Sequence, residues 1–429
     1  MHINAHLDID LVAIETTDSV TLMLELEAPA ADDASTDRPE HTAVVVLDRS
    51  GSMDGSPLES AKRALISLVD RLDDRDRFAL VTFDDAAQVV IPAGKVGDLG
   101  RDRLRHDIEA VATGGTTDLS SGYLRGLQEA NRVATETGAT VLLLSDGYAN
   151  AGVIDPVQLR GIAKCSAEQR VTTSTIGIGL GYDEAILTEL ATGGNGNHSF
   201  GYGPDDAAAA VAAELDGLLS KTVQAASLLI EPTGDVSGIT VLNDLSTMAV
   251  ENRVLAELGD FYSGETRRIV VTIDVPAMGA LGLEQVATLT LTFVELATLE
   301  QHTVTLPVSV NVVPQDVAKG RVAKPEVARE KLFLETQSAK REVEAALRDG
   351  DVEAARSRLN AAKGILSAED TSLLDAQLLG EIEWLGDTAL MVGSESPDYL
   401  SRRLSSDRSR KSRGFKSRTQ GGEVVSDGE

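Results

Sequence analysis

Aromatic residues make up only 3% of the 429-residue chain, so its cores must be built from Val, Leu, Ile and Ala rather than from stacked rings. There is one cysteine, Cys165. No intrachain disulfide is possible, which excludes a disulfide-stapled secreted scaffold. Cys165 lies in LRGIAKCSAEQR, a helical pattern in which a small buried residue is expected. No run of about 20 apolar residues occurs, so no membrane-spanning helix is predicted. The start, MHINAHLDID, lacks a basic segment followed by an apolar run and does not read as a signal peptide. The expected location is the cytoplasm. Cations are the minority: 39 Lys and Arg against 68 Asp and Glu leave a net charge of -29. An acidic body repels a phosphate backbone, which argues against nucleic-acid binding through it. The six histidines show no metal-ligand spacing. There is no Walker motif and no Ser-His-Asp order, and GSMDG lacks the flanks of a nucleophile elbow.

With 42% hydrophobic residues the chain can bury more than one core. From 42 to 222, short apolar runs (AVVVLD, FALVTF, ATVLLLSD, TTSTIGIG) alternate with helical segments. In SPLESAKRALISLVDRL, Leu58, Ala61, Leu65, Leu68 and Leu72 fall on one face, with Ser56 as the expected N-cap and Pro57 at the first position. Such alternation predicts an α/β, doubly wound, mostly parallel sheet, whose sites lie in loops at the carboxyl ends of the strands.

The flanks have other periods. SVTLMLELEA alternates at Val20, Leu22, Leu24 and Leu26; RRIVVTIDV alternates at Ile269, Val271, Ile273 and Val275. ATLTLTF and TVTLPVSVNVV alternate likewise, the pattern of antiparallel strands with one face on a core and the other wet. A lone N-terminal strand is unstable, so residues 1–36 are expected to join 223–316 in one antiparallel β-sandwich with the 42–222 domain inserted between them. Residues 324–394 read as a small helical bundle containing Trp384 and Leu385. Residues 397–429 are basic and poor in apolar residues, and a disordered tail is expected, with Ser406, Ser409, Ser412, Ser417 and Thr419 as phosphorylation candidates.

VVVLDRSGSMDGS raises the functional question, because a buried-looking strand ends in Asp48 followed by Ser50 and Ser52 on alternate positions. Two further loops match it: TGGTTDLSSG offers Thr116, Thr117 and Asp118, and TVLLLSDG ends at Asp146. Either the first or the last piece alone reads as a capping or β-turn. Together they place hard oxygen donors at one sheet edge, a set that suits Mg2+ or Mn2+ and disfavours zinc. Three neutral hydroxyls add no charge beyond the two carboxylates, so a divalent ion is not over-neutralised and an outside anionic oxygen has room to join it. GGNGNHSFGYG has no phosphate-loop pattern, and its His198 reads as a surface loop residue.

DRSGS, the threonine of GGTTD and the aspartate of LSDG resemble the three parts of the metal-ion-dependent adhesion site of von Willebrand factor type A domains, and the order of elements over 42–222 is similar. The resemblance implies Ser50, Ser52 and Thr117 as direct metal ligands, with Asp48 and Asp146 binding directly or through water. The doubled threonine leaves Thr116 open. It also implies a last helix, near DDAAAAVAAELDGLLSKT, that shifts when a partner ligates the metal. The flanks resemble bacterial and plant proteins in which a β-sandwich and a helical segment follow this domain. The expected function is a non-enzymatic module that binds a carboxylate of a protein partner. The alternatives are a metal-dependent hydrolase and an adaptor of a separate AAA+ ATPase.

Overall fold

The protein is described by a computed structural model, covering residues 1–31, 39–202, 204–234, 236, 238–412 and 415–416. Six strands form the first sheet: β4 (Thr42–Asp48), β5 (Arg77–Phe83), β6 (Ala87–Lys95), β7 (Ala139–Ser145), β8 (Val171–Ile178) and β9 (Asn195–Gly201). Their order is β6-β5-β4-β7-β8-β9, parallel except for β6. Every residue of β4 is buried because both faces of the sheet are covered. Val45 and Leu47 pack with α1 (Ser56–Arg71), α3 (Arg101–Glu109) and α7 (Pro204–Leu219), the short α2 (Val96–Leu99) lying alongside. Val44 and Val46 pack on the other face with α4 (Leu119–Val133), α5 (Pro156–Glu168) and α6 (Glu184–Gly193). Chain direction across the sheet reverses between β4 and β7, the position where such folds carry ligands.

Two further sheets face each other across one core. β1 (His2–Leu7), β3 (Asp18–Glu27), β14 (Thr266–Val275) and β11 (Gly238–Val241) lie in that order, with β17 (Phe415–Lys416) also pairing β14. The opposite sheet runs β12 (Ser246–Val250), β13 (Arg253–Tyr262), β10 (Lys221–Pro232), β15 (Gly282–Glu295), β16 (Glu300–Val313) and β2 (Leu11–Ala13). β3 pairs along its whole length with β14, Asp18 opposite Val275 and Glu27 opposite Thr266. Val20, Leu22, Leu24, Leu26, Ile269, Val271 and Ile273 all point into the shared core. The other face of this sheet is not wet as its alternation suggested. Met23 and Val270 are buried in the core of the helical region, so helices cover a face that the sequence marks with only two apolar side chains.

That region comprises α8 (Gln315–Ala318), α9 (Pro325–Arg348), α10 (Val352–Ser367), α11 (Ala376–Met391) and α12 (Pro397–Ser412). Leu385 is fully buried in it and Trp384 packs at its edge. The expectation of a disordered tail from 397 fails for α12, which is a packed helix. Its charged side chains find buried partners of opposite charge on another element: Asp407 lies 2.5 Å from Lys340 of α9 and Arg408 lies 2.8 Å from Glu344 of α9. Ser409 and Ser412 are buried, which closes them to modification in this state. Ser417 and Thr419 lie outside the described residues.

Three smaller readings are corrected. Cys165 is exposed on α5. His198 is 3% exposed, on strand β9 rather than a surface loop, with Nδ1 2.9 Å from Thr175 Oγ1. α1 begins at Ser56 with Gly55 as its N-cap, because Gly55 takes φ 80° and turns the chain into the helix one residue earlier than the serine signal implied.

Candidate functional site

Asp48 is the last residue of β4 and is wholly buried. One carboxylate oxygen accepts the backbone N–H of Ser50 at 2.8 Å, and the other accepts the Ser145 hydroxyl at 2.6 Å. The first bond turns the chain so that Ser50 and Ser52 face each other, their Oγ atoms 3.1 Å apart. Ser52 in turn donates to Asp146 Oδ1 at 2.7 Å, which joins the β4 loop to the β7 loop.

Thr117 arrives from a third loop, held by its backbone. Its N–H donates to Asn150 Oδ1 and its carbonyl accepts from Asn150 N–H, each at 3.2 Å. Asp118 follows as the N-cap of α4, accepting from Ser121 N–H at 3.0 Å, and its own N–H donates to the Asp84 carbonyl at 2.7 Å. Thr117 is buried at 4% while Thr116 is exposed.

Gly147 shows that these oxygens converge. A Cβ there would lie 3.0 Å from Thr117 Oγ1 and 3.5 Å from both Asp48 Oδ2 and Ser50 Oγ. The five residues singled out in the sequence are therefore brought together, and the doubled threonine resolves in placement toward Thr117. Burial raises the carboxyl pKa of Asp48, opposed by the bonds from Ser145 and Ser50 and reinforced by the charge of Asp84. Burial likewise pushes Asp146 up to about 6, with Asp48 adding repulsion against the Ser52 hydrogen bond.

A cation fits this donor set on three counts. The donors are all hard oxygens. Two buried carboxylates held above their ordinary range lack positive charge. The bare Gly147 leaves space beside three of the oxygens. Among the described residues there is no cluster of three or more His, Cys, Asp and Glu able to hold a metal, so hydroxyls have to complete any such site.

Four supporting residues were not singled out in the sequence. Ser145 holds Asp48, and its signal was a hydroxyl at a buried strand end. Asn150 ties the β7 loop to Thr117. Asp84, following β5, pairs with Arg49 at 2.8 Å and accepts from Ala86 and Gly115 N–H. Burial would raise the Asp84 carboxyl, but the Ala86 bond and the Arg49 guanidinium more than offset it and hold it below its ordinary value. Arg49 and Asp84 thus fasten the backs of the loops that carry the serines and Thr117; the Arg inside DRSGS gives no hint of that by itself.

A doubly wound sheet whose carboxyl-end loops gather two aspartates, two serines and a threonine defines an adhesion-type α/β domain. Residues 43–211 match the model of the von Willebrand factor type A domain family, and the chain carries a domain of that family. Such domains generally mediate protein–protein interaction, are mostly non-enzymatic, and bind divalent metals where they carry the adhesion-site motif. The domain is 31% identical over 163 residues to an uncharacterized protein of Synechocystis sp., covering 38% of either chain. It is also 31% identical over 120 residues to the magnesium-chelatase 67 kDa subunit of Chlorobaculum parvum, covering 26% of this chain and 19% of that one. The match spans between about a sixth and two fifths of the length of the curated relatives. Nearly all of its fold recurs in a solved von Willebrand factor type A protein from Catenulispora acidiphila, with a TM-score of 0.76 at 18% identity over 95% of this chain and 96% of that one. Among the described residues no helix is long and apolar enough to cross a membrane.

Proposed function

We propose that this chain is a non-enzymatic, metal-dependent interaction module, in which Asp48, Ser50, Ser52, Thr117 and Asp146 hold Mg2+ or Mn2+ and a carboxylate of a protein partner completes the site. The observation that carries the reading is the convergence of Thr117, Asp48 and Ser50 oxygens around Gly147, with Ser52 and Asp146 joined to the same cluster. When bound, the ion supplies a Lewis-acidic position for an outside oxygen. Asp48 and Asp146 supply the charge that retains the ion. The hydroxyls supply oxygens without further negative charge, so the loaded site does not build up charge that would repel an incoming carboxylate. Ser145, Arg49, Asp84 and Asn150 hold those oxygens in place, so little reorganisation is needed on binding.

A hydrolase at the same site could use Asp48 or Asp146 as its base, and would need a further general acid or base within reach of a substrate besides these two carboxylates. The cluster's own neighbours are Ser145, Asn150 and an Arg49 already engaged by Asp84, which favours binding over turnover. One relative is named as a subunit of a magnesium chelatase. That supports a narrower reading, in which the chain is one component beside a separate AAA+ ATPase.

Capture of partners from native lysate, with Mg2+ and with chelator, tests the reading. Recovery is expected with Mg2+ only, and Thr117→Ala is expected to lose it while keeping the wild-type melt. Capture that is equal with and without chelator refutes the metal-dependent reading, and metal-dependent turnover abolished by Asp146→Ala refutes the non-enzymatic one.

A further inference from the structure

Arg402 of α12 is 3% exposed and has no carboxylate partner among the described residues. A buried guanidinium left without a counter-charge is costly, and packing alone would favour an apolar side chain there. Its contacts lie instead on the type A domain, beside the candidate site. Nη2 donates to the Tyr148 hydroxyl and to the Tyr182 carbonyl, each at 3.1 Å, and the guanidinium lies 5.0 Å from the centroid of the Tyr182 ring. Tyr148 stands two residues beyond Asp146 and its side chain is otherwise exposed at the rim.

The first turn of α12 adds to this hold. The Tyr399 ring meets Tyr202 edge-on at 5.0 Å and Phe200 at 6.4 Å. Ser401 donates to Glu184, the first residue of α6, which Arg348 of α9 also contacts. The far end of α12 is fastened elsewhere. Asp407 meets Lys340, Lys411 meets Glu381 at 2.8 Å, and Arg408 bridges Glu344 and Asp244. Asp244 belongs to the loop between β11 and β12, so one helix is anchored in the helical region and the paired sheets, while its start touches the loop after Asp146 at Tyr148 and packs beside it on Tyr182, Glu184, Phe200 and Tyr202.

We infer that α12 is a clasp that sets the conformation of the Asp146 loop, with Arg402 as its positioning residue, so that residues 43–211 alone do not complete the site. Coupling of this kind is reciprocal: seating of α12 strengthens metal binding, and metal binding protects α12. The second half rests on the metal reading; the hold on the loop does not.

Backbone hydrogen exchange and Mn2+ titration on the full chain, as wild type, Arg402→Ala, Arg402→Lys and Tyr148→Phe, test the clasp. In chelator, Arg402→Ala is expected to speed exchange over residues 146–155 about tenfold, the scale of one lost charge-assisted bond. It is expected to weaken Mn2+ binding about fivefold with the melting midpoint of the sheets kept. Tyr148→Phe, which removes only the phenol oxygen, is expected to move both readouts the same way by less. Lys at 402 restores part of each, since one ammonium replaces a planar fork. Saturating Mn2+ is expected to slow exchange over 397–412 in the wild type and not in Arg402→Ala.

Wild-type exchange over 146–155 in both Arg402→Ala and Tyr148→Phe overturns the clasp. If Arg402→Ala unseats the helical region altogether, Tyr148→Phe decides, because its side chain lies outside that core. If the wild type binds no Mn2+, the metal reading falls, and the exchange of the loop still decides whether α12 holds it.

Discussion

Removing a charge from the oxygen cluster is expected to make the metal-free protein more stable and indifferent to metal at the same time. Asp146 has its carboxyl raised from an ordinary 3.8 to about 6, mainly by burial, with Asp48 contributing repulsion. A raised carboxyl means that the folded state disfavours the charged form. The cost is absent below about pH 4, grows as pH rises through 6, and is fully present at pH 7. The displacement corresponds to about 3 kcal/mol at most. Asp146 keeps some contact with water, which screens part of this, and Asn retains only an acceptor for Ser52. We therefore expect Asp146→Asn to gain about 1 to 2 kcal/mol in chelator at pH 7. For a unit of this size that is a rise in Tm of roughly 2–4 °C per kcal/mol, and the gain should disappear at pH 4. Wild type should recover the difference on adding Mg2+, following the logarithm of concentration over Kd, while Asp146→Asn should not respond. Differential scanning calorimetry at pH 4 and 7, with chelator and with Mg2+, reads all four corners. A variant that is less stable than wild type in chelator at pH 7, or that still gains from Mg2+, would refute the reasoning.

Gly147→Ala places a Cβ 3.0 Å from Thr117 Oγ1, which the fold can absorb by a few tenths of an ångström. Melts with and without Mg2+ should then coincide while the circular dichroism spectrum stays that of the wild type. Lys340→Met leaves Glu381 and Asp407, 1% and 9% exposed in the helical core, with Lys411 as their one remaining shared cation among the described residues. Because Lys411 still pairs with both acids, urea unfolding should show a loss of at most about 3–5 kcal/mol confined to the helical region, and Tyr148 should become more accessible to modification as α12 loosens. Leu24→Ala removes a side chain that is 1% exposed on the strand paired with β14. A loss of about 2–5 kcal/mol should appear as faster exchange over Ile269–Val275, with the Asp48 strand unaffected.

The strand ends were legible because a residue buried on both faces of a parallel sheet must be apolar. Asp48 therefore stands out at the end of Val44–Leu47, and Asp146 at the end of Val141–Leu144. Thr117 was legible by its loop and by the Asp118 that follows it, as the resemblance implies, and the fold buries Thr117 beside the other oxygens while Thr116 is exposed. Arg49 and Asp84 were invisible, because pairing across two loops leaves no local period. α12 was misread for a related reason. Composition flags a charged helix as solvated, and it cannot show that Lys340, Glu344, Glu381 and Asp244, far apart in sequence, form the acidic and basic partners of one buried seat. Met23 and Val270 are the same failure in small: two apolar residues on a polar face are too few to announce a covering layer.

Two routes from the oxygen cluster can be compared, the shift of α7 that the resemblance implies and the proposed clasp, and their energies differ. One runs through α7, which leads directly into β10 and whose Glu214 accepts from Ser174 of β8 at 2.5 Å. At its exit Lys221 forms a buried pair with Asp260 at 2.8 Å, and Asp260 also accepts from Thr172 and from Ala225 N–H. Burial would raise the Asp260 carboxyl, yet Lys221 and these bonds hold it below its ordinary value, the mark of a pair whose attraction outweighs its desolvation. Separating such a pair costs about 3–5 kcal/mol, more than the 1–3 kcal/mol that coupling between sites typically carries. A shift of α7 must therefore stop short of Lys221 or carry the paired sheets with it as a body. The second route, from the Asp146 loop through Tyr148 and Arg402 to α12, crosses at one hydrogen bond to the Tyr148 hydroxyl, beside a hydrogen bond and a ring contact to Tyr182. Those can open within that range of energy. The softer joint lies where the helix grips the rim, and Lys221→Ala is expected to leave the exchange of residues 146–155 unchanged where Arg402→Ala alters it.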